Sequence, residues 1–425
     1  MKLKRQNLNF KILASLFLCL VGSHMLSAQN KPKKGQPQGS SNASWVKNIS
    51  ENEIIEWRRH VHQNPELSFK EENTATYVAD LLKSFGNIEV IRPTKTSVLG
   101  ILKGTNPGKT VAFRADMDGL PIQEETGLAF ASQNKSISHA CGHDAHTAML
   151  LGTAKALSTM KGQIKGTVYF LFQHAEEEAP GGALDIIKSG ALKDVNAFFG
   201  LHVIPNFPVG HIGVLPNGAA STTSDGFFLT INGKGSHGSM PQLGVDPVVV
   251  GAELVTALQT IVSRNITPGE MAVITVGKFQ SGDAPNVIPD KAELAASIRT
   301  ITDETRTLVE ARIRTLIENI TKANGATYDL KYILSYPAIK NDPALNALVK
   351  ASATKALGKD RVFDAPRMTA SEDFSYYNQI APTVFMILGV GEGVANHNPK
   401  FNLDEKALIN GATAEVQIVL DYLNN

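Results

Sequence analysis

The sequence predicts an α/β protein: a mixed, largely parallel sheet flanked by helices, interrupted by an inserted α+β domain of ferredoxin-like order. Three observations carry this. Short β-rich apolar runs alternate with longer helical patterns in the first half of the chain, the pattern of strands buried on both faces of a sheet. Between residues 225 and 335 the order becomes β-α-β-β-α-β, that of a split βαβ domain. After Pro337 the α/β alternation resumes, so the chain leaves the first domain, builds a second and returns. Its 425 residues exceed the roughly 250–300 at which a single core stops growing.

In chain order, Lys2, Lys4, Arg5 and Lys11 precede an apolar run that ends near Ser27-Ala28-Gln29. This is the layout of a secretory signal peptide, residues 1–28, and it is short for a membrane span. The expectation is export, to the periplasm or the medium in a bacterium, with no stable membrane insertion after cleavage; an uncleaved N-terminal anchor is the alternative. Residues 29–47 are rich in Lys, Gly, Gln, Pro and Ser and read as a flexible linker. The first domain then covers 48–224. A helix begins after Asn48-Ile49-Ser50, with Glu51 and Glu53 at its start, and carries Ile54, Ile55, Trp57 and Val61 toward a core. Runs at 110–113, 145–157, 168–172, 183–187 and 197–201 continue the alternation. In the insert, 225–335, strands are expected at 227–231, 271–279, 292–299 and 328–334, with helices at 247–262 and 304–320. The first domain closes over 336–425 with a helix at 343–356, a strand at 383–388 and a last helix ending near Leu423. A net charge of +1 offers no argument for nucleic acid or an anionic membrane surface.

Functional groups in parallel α/β sheets gather at the carboxyl ends of strands, and four strand-like runs here end in ligand-type side chains. The first leads into Arg114-Ala115-Asp116-Met117-Asp118, the second into Gln173-His174-Ala175-Glu176-Glu177-Glu178. The third leads into Leu201-His202, and the fourth precedes a loop with Asn396-His397-Asn398-Pro399. Between the first two lies His139-Ala140-Cys141-Gly142-His143-Asp144-Ala145-His146, a thiol and three imidazoles before a helical run. Taken singly, a lone histidine is more often structural, three glutamates more often a solvated face, and a free cysteine more often a small hydrophobe. Together they describe a pocket suited to zinc, manganese, cobalt or nickel rather than magnesium or calcium.

These segments resemble the aminoacylase/carboxypeptidase class of co-catalytic metallopeptidases, in particular its amidohydrolase branch of hippurate hydrolases and indole-acetyl-amino-acid hydrolases. The resemblance runs from Trp57 to Leu423 and includes Arg58-Arg59-His60, Pro65-Glu66-Leu67, His237-Gly238, Asp246-Pro247, Ser371-Glu372-Asp373-Phe374 and His397-Asn398-Pro399. It implies an inserted lid and dimerisation domain, a homodimer, and two divalent metal ions per subunit held by Cys141, His143, Glu177, His202 and His397. One division shares Cys141, gives His143 and His202 to one ion, and Glu177 and His397 to the other. Glu176 takes the role of general base and Asp118 that of a carboxylate orienting a ligand. His237 is implied to reach into the partner's cleft, and Asn286 and Arg299 to bind polar groups of the substrate. The implied activity is cleavage of N-acyl amino acids or a similar small amide by metal-activated water, with a dipeptidase or carboxypeptidase as the alternative. His174 and Glu178 depart from the branch's pattern, and Asp116 stands where related peptidases carry a ligand histidine. Two other readings stay open on sequence: a thiol enzyme using Cys141 as nucleophile, and a non-catalytic binder.

Overall fold

Ser50 starts the first helix as a cap: its Oγ accepts from the Glu53 amide at 3.3 Å, satisfying one of the amides a helix start leaves open. The computed structural model describes residues 44–424, so the expected signal peptide and the expected linker up to residue 43 lie outside the described residues. The linker's last expected positions differ from the expectation. Ser44–Asn48 form a 3-10 turn, and Trp45 joins the core, because an indole gains more from burial than a short turn costs.

Helix α1 (Glu51–Gln63) buries Ile54, Trp57 and Val61 as its spacing requires, together with Arg58 and His62. Next come α2 (Glu72–Ser84) and the antiparallel pair β1 (Ile88–Ile91) and β2 (Val98–Lys103). The α/β alternation follows as β3 (Asn106–Asp116), α3 (His143–Ser158), β4 (Lys165–Gln173), α4 (Ala183–Lys188) and β5 (Ala197–Ile204). Short strands β6 (Ile212–Val214) and β7 (Gly218–Ala219) lead to the insert.

The insert contains β8 (Asp225–Asn232), β9 (Ser236–His237), α5 (Pro247–Arg264), β10 (Ala272–Ser281), β11 (Val287–Ile288), β12 (Lys291–Thr300), α6 (Asp303–Ala323) and β13 (Thr327–Leu334). Its antiparallel sheet runs β10-β12-β8-β13, the ferredoxin-like order predicted. Alternate side chains Phe227, Leu229 and Ile231 of β8 pack with Leu254 and Leu258 of α5 and Ile313 and Ile317 of α6 in a core of their own. The added ribbon β9–β11 pairs His237 with Val287.

The chain returns as β14 (Lys340–Asn341), α7 (Pro343–Leu357), β15 (Val362–Asp364), β16 (Thr383–Gly389) and α8 (Leu408–Asn424). The large sheet runs β1-β2-β4-β3-β5-β16-β14-β7, with β6 and β15 off that path. Its central strands β4, β3, β5 and β16 are parallel, so their carboxyl ends share one edge. The helices α1, α3, α7 and α8 cover one face over Phe113, Phe170 and Phe199. Among the described residues no helix is long and apolar enough to cross a membrane.

Candidate metal centre

The centre forms at the shared carboxyl edge of β3, β4, β5 and β16, where the ends of these strands and the segments after them deliver their polar groups. Gly142 makes the first delivery possible. It sits at φ +94° at the start of α3, and a Cβ there would lie 2.3 Å from Val203 Cγ2. Only glycine fits such a position, and it lets Cys141 and His143 flank the turn and face one cavity. The sequence expectation ended the third strand at residue 201; β5 continues to Ile204, so His202 stands inside the strand.

Two groups of ligand-type atoms meet within 4.8 Å and share Cys141: Cys141 with His143 and His202, and Cys141 with Glu177 and His397. These are the residues of the division given above, and His143, Glu176 and Glu177 come within the same distance of one another. Cys141 Sγ lies 3.4 Å from His202 Nε2, and His397 Nε2 lies 3.2 Å from Glu177 Oε1 without hydrogen-bond alignment. The outer nitrogens of the rings are engaged. His143 Nδ1 donates to Asp118 Oδ1 at 3.1 Å, and His202 Nδ1 donates to the Val203 carbonyl at 2.8 Å. That orients each ring with Nε2 turned inward, as carboxylates and carbonyls do behind metal-binding imidazoles. His143 Nε2 and Glu177 Oε1 are buried without a hydrogen-bond partner, which costs free energy unless something else satisfies them. A thiol, imidazoles and a carboxylate with orphaned inward atoms fit a borderline divalent cation.

The neighbouring histidines are used differently. His146 Nδ1 donates to Asp116 Oδ1 at 2.6 Å while its Nε2 accepts from the Val203 amide at 2.9 Å, so neither nitrogen is free for a cation. His139 is buried with both ring nitrogens unpartnered, and burial holds its pKa down to about 4. Asp118 accepts at Oδ2 from Ser68 Oγ at 2.6 Å and from the Glu177 amide at 3.0 Å. It therefore orients His143 and the Glu177 backbone together.

The three successive glutamates separate by burial. Glu176 is buried, Glu177 is partly so, and Glu178 is exposed and points outward. Burial, then Glu372 and Glu177, pushes the Glu176 carboxyl well above the usual range. Burial, then Glu177 and Glu176, likewise pushes the Cys141 thiol up. Crowded acids of this kind resist ionisation until a cation enters and inverts the local charge balance. Burial works against a charged His143, yet Asp116 and Asp118 raise it to about 10. His174 is buried against Phe69, with its ring 5.6 Å away in an edge contact.

Sequence reasoning left the wall behind Glu176 without roles. Arg114 donates to Gln173 at 2.9 Å, to Asp116 at 2.5 Å, and to Glu372 and Asp373 at 2.9 Å each. Tyr336 donates its hydroxyl to the Glu176 carbonyl at 2.9 Å. The pairing of Arg114 with the acids of Ser371-Glu372-Asp373 was the available signal, but nothing in the spacing joins positions so distant in sequence.

A cleft of about 400 Å³ opens over the centre, lined by Cys141, Glu176, His202, Arg299, Glu372 and His397 among others. Arg299 thus reaches the site from the insert. His237 and Asn286 do not: they lie side by side, with the Gly238 amide donating to the Asn286 carbonyl at 2.8 Å, and both are exposed outside this cleft. A larger cavity of about 660 Å³ beside α1 carries none of these groups.

Residues 112–421 match the model of peptidase family M20/M25/M40. The chain belongs to this family. It is 46% identical over 289 residues to an N-acyl-L-amino acid amidohydrolase of Geobacillus stearothermophilus, a match covering 68% of this chain and 78% of that one. Over 361 residues it is 42% identical to an N-acetyl-L-cysteine deacetylase of Bacillus subtilis, covering 84% and 85%. It is also similar to the crystal structure of a dinuclear metal binding peptidase from the M20 family of Bacillus subtilis. That likeness has a TM-score of 0.78 at 33% identity, covering 88% of this chain and 98% of the other. The protein is an M20-family hydrolase, and its relatives are named for acting on amide bonds.

Proposed function

We propose that this hydrolase cleaves N-acyl amino acids to a carboxylic acid and an amino acid, using two divalent cations and Glu176 as general base. One observation carries the reading: two ligand groups share Cys141, and the buried Glu176 carboxylate, outside both though within reach of His143 and Glu177, lines the same cleft. Cys141, His143 and His202 would hold one ion; Cys141, Glu177 and His397 the other. Bound there, such cations would lower the pKa of a water toward about 7 and polarise a carbonyl.

The chain's own groups supply the rest. Glu176 accepts a proton at a carboxylate oxygen and returns it to the leaving amine, a role served best by a carboxyl whose pKa is raised toward working pH. Tyr336 and Asp118 hold the two ends of the peptide group that joins Glu176 to Glu177, one donating to its carbonyl and the other accepting from its amide. Arg299, half-buried in the cleft, offers a guanidinium to the free carboxylate of an amino-acid product. The cleft volume of about 400 Å³ suits a small substrate rather than a protein chain. The adjacent, exposed His237 and Asn286 support a homodimer in which each insert serves the partner's cleft. The basic and apolar N-terminal stretch supports export.

The test is removal of metal by a chelator, followed by assay on N-acetyl, N-benzoyl and dipeptide substrates. Activity should vanish and return with manganese, zinc, cobalt or nickel, with N-acyl amino acids preferred. Preference for dipeptides would move the reading to a dipeptidase of the same chemistry. Activity that survives chelation and dies on thiol alkylation would replace it with a thiol enzyme.

A further inference from the structure

The five candidate ligands differ in how firmly they are held. Cys141, His143 and His202 are buried on α3 and β5 or beside them, whereas the His397 side chain is 54% exposed on the loop between β16 and α8. Its backbone is also in an uncommon state, with φ +66°, a conformation that costs a non-glycine residue free energy unless the surroundings impose it. Two contacts impose it here. The His397 amide donates to the Ala140 carbonyl at 2.8 Å. The side chain of the preceding residue, Asn396, donates through Nδ2 to the Cys141 carbonyl at 2.9 Å and more weakly to the Val203 carbonyl at 3.5 Å. The Val203 carbonyl is also the acceptor that orients the His202 ring. One amide group therefore ties together the three segments that carry Cys141, His202 and His397.

We propose that Asn396 is a positioning residue for the cation held by Cys141, Glu177 and His397, fixing the His397 loop against the rest of the centre. The inference rests on the two-cation reading given above. An amide is suited to the task because it donates to carbonyl oxygens while carrying no charge into a site already rich in carboxylates. Losing the tie leaves the exposed His397 held only by its amide contact with the Ala140 carbonyl, while Cys141, His143 and His202 stay in buried segments with Asp118 and the Val203 carbonyl still behind the two rings. The loss therefore falls on one ion and spares the other.

The experiment titrates metal-free full-length protein with zinc against a chromophoric competing chelator, for the wild type, Asn396→Ala and Asn396→Leu, with melting of the metal-free forms as a second readout. The leucine variant keeps the bulk and removes the donor. The expected result is two zinc ions per subunit in the wild type. Both variants should then bind one ion about 10–100-fold more weakly, the range for loss of an outer partner, and the other within about threefold. Metal-free melting temperatures should stay together. Unchanged affinity at both sites, equal weakening at both sites, or recovery in the leucine variant overturns the inference while leaving the proposed function standing. A wild type that takes up no zinc, manganese or cobalt overturns both.

Discussion

Asp118→Asn removes one charge and almost no volume, and its consequence follows from three hydrogen bonds. Asp118 is fully buried; although burial works against its charge, contacts with His143, Ser68 and the Glu177 amide hold its carboxyl below the usual range. All three partners donate: His143 Nδ1 at 3.1 Å to one oxygen, Ser68 Oγ at 2.6 Å and the Glu177 amide at 3.0 Å to the other. Asparagine has a single oxygen. If that oxygen serves Ser68 and Glu177, its NH2 faces the Nδ1–H of His143, and the ring must move its proton to Nε2. The lone pair that Nε2 turned into the cavity is then lost. Removing a hydrogen bond to a charged group costs about 1.5–3 kcal/mol, equivalent to roughly 10–100-fold in affinity, the range found for partners behind metal ligands. The assay is zinc competition on the metal-free variant, with kcat/KM on an N-acyl amino acid measured on the reloaded protein. Zinc affinity within about twofold of wild type, with kcat/KM equally unchanged, would refute the claim that Asp118 sets the His143 tautomer.

Two further predictions concern stability. Glu415 is buried between α3 and α8, with Thr153 Oγ1 donating to it at 2.6 Å, and burial raises its pKa to about 8. The unfolded chain releases this proton near pH 4.5 and the folded chain near 8, so stability falls as pH rises across that window and levels above it. Glu415→Gln keeps the acceptor for Thr153 and should stabilise the protein by a few kcal/mol at pH 8 and little at pH 4.5, read by urea melts; equal effects at both pH values would contradict the assignment. Gly142→Ala meets both the φ of +94° and the 2.3 Å approach to Val203 Cγ2. It should cost about 1–3 kcal/mol and weaken zinc binding, measured by melting and by metal titration; wild-type values in both would show that the turn tolerates a side chain.

The site was more legible in the sequence than its surroundings. Parallel strands bring their carboxyl ends to one edge, so the strand pattern alone places the residues after 113, 172 and 201 together. The insert was legible because its strands alternate and its helices start at caps such as Asp246, whose carboxylate accepts from the Val248 amide at 2.9 Å. What stayed hidden depends on distant partners. Arg58 and His62 look like surface residues of an amphipathic helix, yet both are buried because Asp144 accepts from them at 2.8 Å each, more than 80 positions away. Helix α2 lacks a sequence signature for a local reason. Its cap position is Glu71, whose side chain turns away to accept from the Phe69 and Ala175 amides at 3.0 and 2.7 Å. The run Glu176-Glu177-Glu178 shows the limit of composition: only Glu178 behaves as the solvated face such runs suggest.

The central claim is that Glu176 moves the proton while the neighbouring residues hold the cations. Glu176→Gln separates the two roles, because the amide keeps the shape but cannot accept a proton at neutral pH. Metal content and turnover of an N-acyl amino acid should be measured on the same sample of this variant. The account predicts two divalent ions per subunit, as in the wild type, with kcat lower by about 10²–10⁴, the usual worth of a general base. Turnover near the wild-type rate with the metals in place would contradict it.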